Sequence, residues 1–180
     1  MRKISRALFA AALMLPVGVI AVPADAAGGT SCRTTNGTAT FKPALPKLGS
    51  ATKVLSSVTV VDGKLAECVG GGVTGGSVKL TSKFSKPGNC ETLATSGNTN
   101  PTRGIETITW NTNQTSTVGL TLTGVKGTPT QAKIAGTVTA GLFKGLKETG
   151  TVLYVVPKRG CTSNPLSKVT VKQVTAQIFR

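Results

Sequence analysis

The cysteines, the lysines and a handful of acidic side chains are the residues of this chain whose types and spacing could do chemistry. Histidine is absent from all 180 residues. That removes the commonest general base, the Ser-His and Cys-His dyads and every His-ligated metal site. Four cysteines, Cys32, Cys68, Cys90 and Cys161, lie far apart in sequence. Zinc would need close pairs, so metal binding is not expected. An even number of cysteines behind a secretory leader reads instead as two disulfides. Three pairings are possible, and Cys32 to Cys68 with Cys90 to Cys161 is the expectation carried forward.

Basic residues outnumber acidic ones 21 to 6, for a net charge of +15. Lys79 with Lys83, and Lys168 with Lys172, stand four apart in alternating segments and so share an outward strand face. Lys144, Lys147, Lys158 and Arg159 cluster near turns. On an exported protein such a field attracts anionic wall polymers or lipid head groups. The competing explanation is structural, since lysines on strands block pairing between sheet edges. Nucleic acid is not an expected partner, because basic and aromatic residues are not interleaved.

Five acids follow the leader: Asp62, Glu67, Glu91, Glu106 and Glu148. A glycosidase needs two carboxylates facing each other. Asp62 belongs to a turn signal, while Glu106 shares its parity with Ile108 and Trp110 and would point inward, as a candidate acid or, better supported, as a salt-bridge partner. No second carboxylate is selected by the pattern. Gly70 to Gly75 satisfies G-x-G-x-x-G, but a lysine-studded strand follows where a phosphate-binding helix is required. Gly-x-Ser-x-Gly does not occur. Ser82, Ser85 and Ser167 each precede a lysine, yet neighbours on a strand point to opposite faces. Thr-x-Thr recurs from 38 to 139 without the constant repeat that an ice-binding array needs. No catalytic residue, metal or cofactor is expected.

Residues 1–26 carry the leader: Arg2, Lys3 and Arg6, an apolar run from Ala7 to Val22, and the small-x-small triplet Ala24-Asp25-Ala26. Pro16 and Gly18 interrupt the run, and it is shorter than the roughly 20 residues of a spanning helix. The remaining residues, 27–180, form a single domain with a net charge of +13.

Within that domain apolar residues alternate with Thr, Ser or Lys, as in Val78, Leu80 and Phe84 against Lys79, Thr81 and Lys83. About nine strands are expected, near 38–45, 53–61, 64–69, 77–85, 104–111, 116–124, 131–140, 148–156 and 166–179. Asp62-Gly63 reads as a two-residue hairpin turn. A parity switch near Lys172 and Gln173 suggests a bulge. Short connections favour an antiparallel meander that closes as an all-β barrel, with an Ig-like β-sandwich as second choice. The segment 86–103 is the longest irregular stretch. Counting strands exposes a conflict. Four lie between Cys90 and Cys161, which brings both to one end of a meander, but three lie between Cys32 and Cys68, which does not.

Several features, namely Cys32, Gly37 to Phe41 followed by Pro43, Cys68 in a Gly-rich context, Cys90, Ile108-Thr109-Trp110, Gly136 to Gly145 and Cys161 ahead of Pro165-Leu166, resemble a loose group of small, uncharacterised secreted proteins of high-GC Gram-positive (actinobacterial) bacteria. The resemblance covers most of residues 32–179, implies a secreted all-β domain, and transfers no functional residue. A weaker similarity to chromoprotein carriers of enediynes rests on composition and fails on cysteine spacing.

The expected function is therefore binding rather than catalysis, at the cell envelope and toward anionic partners. The alternatives are a carrier of a small apolar ligand in the barrel interior, or a protease inhibitor or hydrolase that uses the 86–103 loop with Lys86 and Arg103 as basic anchors.

Overall fold

The computed structural model describes residues 28–34, 37–91, 100–125, 128–157, 159–173 and 177–179. The expected leader, 1–26, lies outside them. Ten strands follow in order: β1 (Ser31–Thr34), β2 (Gly37–Leu45), β3 (Ser57–Val69), β4 (Gly76–Phe84), β5 (Thr102–Trp110), β6 (Thr115–Val125), β7 (Thr128–Gly141), β8 (Lys147–Val155), β9 (Leu166–Gln173) and β10 (Gln177–Phe179).

From β2 to β9 each strand pairs antiparallel with the next, and β9 returns to β2 through Gly37↔Val171 and Thr40↔Lys168. The result is a closed eight-stranded antiparallel barrel. Short β1 and β10 pair with each other and with β3 and β8, extending the wall at one end. The alternation that marked the strands is the alternation of wall faces: along β5, Thr102, Glu106, Ile108 and Trp110 are buried while Arg103, Ile105 and Thr109 are exposed.

The Asp62-Gly63 reading is corrected. Segments 53–61 and 64–69 are not two strands joined by a hairpin; Ser57–Val69 runs through as one strand with a register shift against β4 between Val60 and Gly63. The same two residues serve a bulge. Asp62 turns its carboxylate across to β2, where it accepts a hydrogen bond from the Thr38 amide at 2.7 Å. Gly63 lies so close to β4 that an added Cβ would stand 3.0 Å from the Val78 side chain.

Merging those segments removes the cysteine conflict. Two passes, β2 and β3, now separate Cys32 from Cys68, and four, β5 to β8, separate Cys90 from Cys161. Both expected bridges form, at opposite ends of the barrel. The expected strand 166–179 is divided into β9 and β10. The bulge expected near Lys172 and Gln173 is corrected: both pair with β8 in unbroken register, opposite Leu153 and Val152, and 174–176 lie outside the described residues.

Apolar side chains fill the barrel from both ends. At the Cys32–Cys68 end, Trp110 meets Phe143 edge-to-face at 5.4 Å and donates its indole N–H to Ser116 Oγ at 2.8 Å, so its single polar atom is satisfied inside the core. At the Cys90–Cys161 end, Phe41 stacks on Phe84 among Leu45, Val58 and Leu166. Trp110, Phe143, Phe41 and Phe84 are thus spent on the core.

Candidate anion-binding surface and interior carboxylates

Which basic residues meet depends on the register of the pairing. Lys42 on β2 stands opposite Ser57 on β3, Ser57 opposite Lys83 on β4, and Lys83 opposite Arg103 on β5. All three cations are exposed, and they form a row around the outer wall near the Cys90–Cys161 end. Lys168 on β9 joins the row beside Lys42, through its pairing with Thr40. The connections at this end add exposed Lys47, Lys53, Lys86 and Arg159. Among the described residues the same end carries a single acid, Glu91, whose carboxylate accepts the Gly49 amide hydrogen bond at 3.2 Å.

Of the eight residues expected to bind anions, Lys83, Arg159 and Lys168 belong to this basic end. Lys79 and Lys172 lie midway along the wall, exposed. Lys144 and Lys147 are at the opposite end, where Lys147 Nζ donates to Thr137 Oγ1 at 2.9 Å. Lys158 lies outside the described residues. The eight therefore do not make one patch, and the row that does form includes Lys42 and Arg103, which spacing alone did not group with Lys83. Arg33 is also at the far end, in a highly exposed ion pair with Glu67 at 3.3 Å that contributes little.

The 86–103 segment is anchored at both ends. The Asn100 side chain clasps the Lys86 backbone, accepting from its amide at 2.8 Å and donating to its carbonyl at 2.7 Å, while Ser85 Oγ donates to the Pro101 carbonyl. Residues 92–99, the centre of that segment, lie outside the described residues.

Inside the wall the electrostatics reverse. Glu106 faces the interior, as its parity predicted, and is 4% exposed. It does not stand alone there: Glu148 on β8 is fully buried, and neither of its oxygens has a hydrogen-bond partner among the described residues. Burial pushes the Glu148 carboxyl well above the ordinary carboxylate range, and the charge of Glu106 adds to the rise. The second carboxylate that the sequence pattern did not select is thus Glu148. Its parity with Val152, against exposed Lys147 and Thr149, was the signal that could have found it.

Ser82 and Thr102 also turn inward, with hydroxyls that have no hydrogen-bond partner among the described residues. Ser82 is paired with Gly104, whose missing side chain lets β4 and β5 approach; a Cβ there would collide with the backbone of Thr81 and Ser82. Tyr154, half-buried on β8, has its phenol pushed up to about 12 by burial. Both glutamates are buried within the wall, and apolar clusters occupy the interior toward either end. Among the described residues no cluster of three or more acidic or cysteine ligands could hold a metal ion.

No protein-family model, curated protein or solved structure matches the chain.

Proposed function

We propose that the protein is a non-enzymatic binding module of the cell envelope that engages anionic surfaces through the basic end of its barrel. The reading rests on Lys83 standing opposite Arg103 in the middle of a closed wall. Like charges directly opposed on neighbouring strands are unfavourable, and an anionic partner relieves that cost. The structural explanation for lysines on strands is protection of an edge. In a closed ring β4 and β5 have no edge to protect, since each is paired on both sides.

Two disulfides agree with an oxidising, extracellular setting. Carriage of a small apolar ligand draws less support, because Trp110, Ile108, Phe143 and Phe84 already occupy interior positions.

The test is sedimentation with isolated envelope fractions and with soluble long-chain polyphosphate across a salt series. Binding should fall steeply between about 0.1 M and about 1 M salt, as the screening length shrinks from ~10 Å to ~3 Å. The double reversal Lys83→Glu/Arg103→Glu should abolish it, whereas Lys144→Glu/Lys147→Glu should weaken it only modestly. Binding that ignores salt, or equal loss from both ends, would refute the proposal.

A further inference from the structure

We infer that the anionic partner is a lipid bilayer, and that the β2–β3 connection, residues 46–56, is the part that enters it. The inference rests on the basic end being the binding surface and goes further by assigning the chemistry that surface meets. Exposed apolar side chains scattered singly need no explanation, and Val61, Val69 and Ile105 are of that kind. Leu48, Leu55 and Val155 differ. They are 38%, 40% and 48% exposed, and all lie at the Cys90–Cys161 end, the two leucines in one connection.

Each leucine has a lysine beside it, Lys47 next to Leu48 and Lys53 two residues before Leu55, and both lysines are exposed. The row Lys42, Lys83, Arg103 and Lys168 stands just behind on the wall. Apolar tips that reach the head-group boundary, backed by cations at head-group level, are the pattern of interfacial membrane binding. A soluble polyanion would satisfy the cations and leave the leucines in water.

The connection is also held ready. The Leu48 amide donates to the Cys161 carbonyl at 2.7 Å, the Cys90 amide to the Pro46 carbonyl at 2.8 Å, and Val54 and Gly88 exchange two backbone bonds of 2.8 Å. Asn89 Nδ2 donates to the Ser50 carbonyl at 3.1 Å. With Cys90 bonded to Cys161, these contacts tie the connection to both neighbouring loops. Its backbone polar groups are thereby drawn toward protein, while the leucine side chains remain partly in solvent. Little ordering remains to be done on contact with a surface.

The test uses the disulfide-bonded protein with vesicles of phosphatidylglycerol and phosphatidylcholine, vesicles of phosphatidylcholine alone, and soluble polyphosphate. The native protein should bind the anionic vesicles, and Leu48→Ser/Leu55→Ser should weaken that binding about tenfold or more while leaving polyphosphate binding unchanged. As a second readout, Leu48→Trp should shift its emission to the blue on anionic vesicles and not with polyphosphate. The native Trp110 is buried at the opposite end and stays silent. Binding to polyphosphate and vesicles alike, with no leucine dependence and no blue shift, would overturn the membrane inference and leave the anionic-surface reading standing. Binding to neither would overturn both.

Discussion

On the outside of the barrel, Lys83 and Arg103 face each other across neighbouring strands in open solvent; on the inside, Glu106 and a second carboxylate, Glu148, are both buried, and the charge of Glu106 acts on Glu148. Both are like-charge encounters built on the same wall, and β5 contributes to each. Two unit charges 4 Å apart interact by about 1 kcal/mol in water and by about 4 kcal/mol at an effective dielectric of 20. The outer pair is screened by solvent and open to a partner, whereas inside the wall burial and the charge of Glu106 push the Glu148 carboxyl well above the ordinary carboxylate range. The wall sorts charge by its consequence: repulsion is tolerable where solvent screens it and favours the protonated form of a carboxyl where it does not.

The largest effect on this contrast should come from opening the interior itself. Trp110→Ala removes the side chain that closes one end over Phe143 and should cost about 3–5 kcal/mol in denaturant unfolding. A cost below about 1 kcal/mol would mean that the interior is a loosely filled lumen and would return weight to the carrier reading.

Next in size is the proton on Glu148. Because its folded pKa is raised above the ordinary 4.5, the associated stability is fully present below about that pH and is lost as pH rises through the folded value. The native protein should thus lose stability as pH rises above the ordinary carboxylate range. Glu148→Gln, which cannot ionise, should flatten that profile and be the more stable of the two at pH 8. Unchanged slopes in paired titrations would place the pH dependence elsewhere.

The smallest effect belongs to an acid on the outside. The Thr38 amide holds the Asp62 carboxyl below its usual range, so its contribution is present above the ordinary value of 3.8 and is lost as pH falls through the lowered one. Asp62→Asn should cost less than about 1 kcal/mol at neutral pH, with the difference from the native protein shrinking in acid. Inner and outer acids would then tilt the pH profile in opposite directions.

How much of this was legible beforehand varied with the range of the signal. Alternation along a single segment was enough to place Val78, Leu80, Phe84, Glu106 and Ile108 on the inner face, because the pleat fixes parity locally. The expected Cys90–Cys161 bridge, which the strand count agreed with, is present. Asp62-Gly63 misled because the local chemistry of a two-residue turn also suits a bulge; what decides is Thr38 and Val78 on neighbouring strands, out of reach of a local pattern. The basic row was hidden for the same reason. Lys42, Lys83 and Arg103 are neighbours only through register, and register is a property of pairs of strands.

The seam of the barrel joins distant parts of the chain: Gly37 meets Val171, and Thr40 meets Lys168. No length of chain that stops short of β9 can complete the ring, so closure waits for almost the whole polypeptide, and such long-range pairing is slow. Until it occurs, β2 and β9 are bare edges open to other chains. Lys42 and Lys168 sit on those two strands. Their charge can guard the unfinished barrel against aggregation, a service that Lys83 and Arg103, whose strands pair early with sequence neighbours, have no occasion to perform.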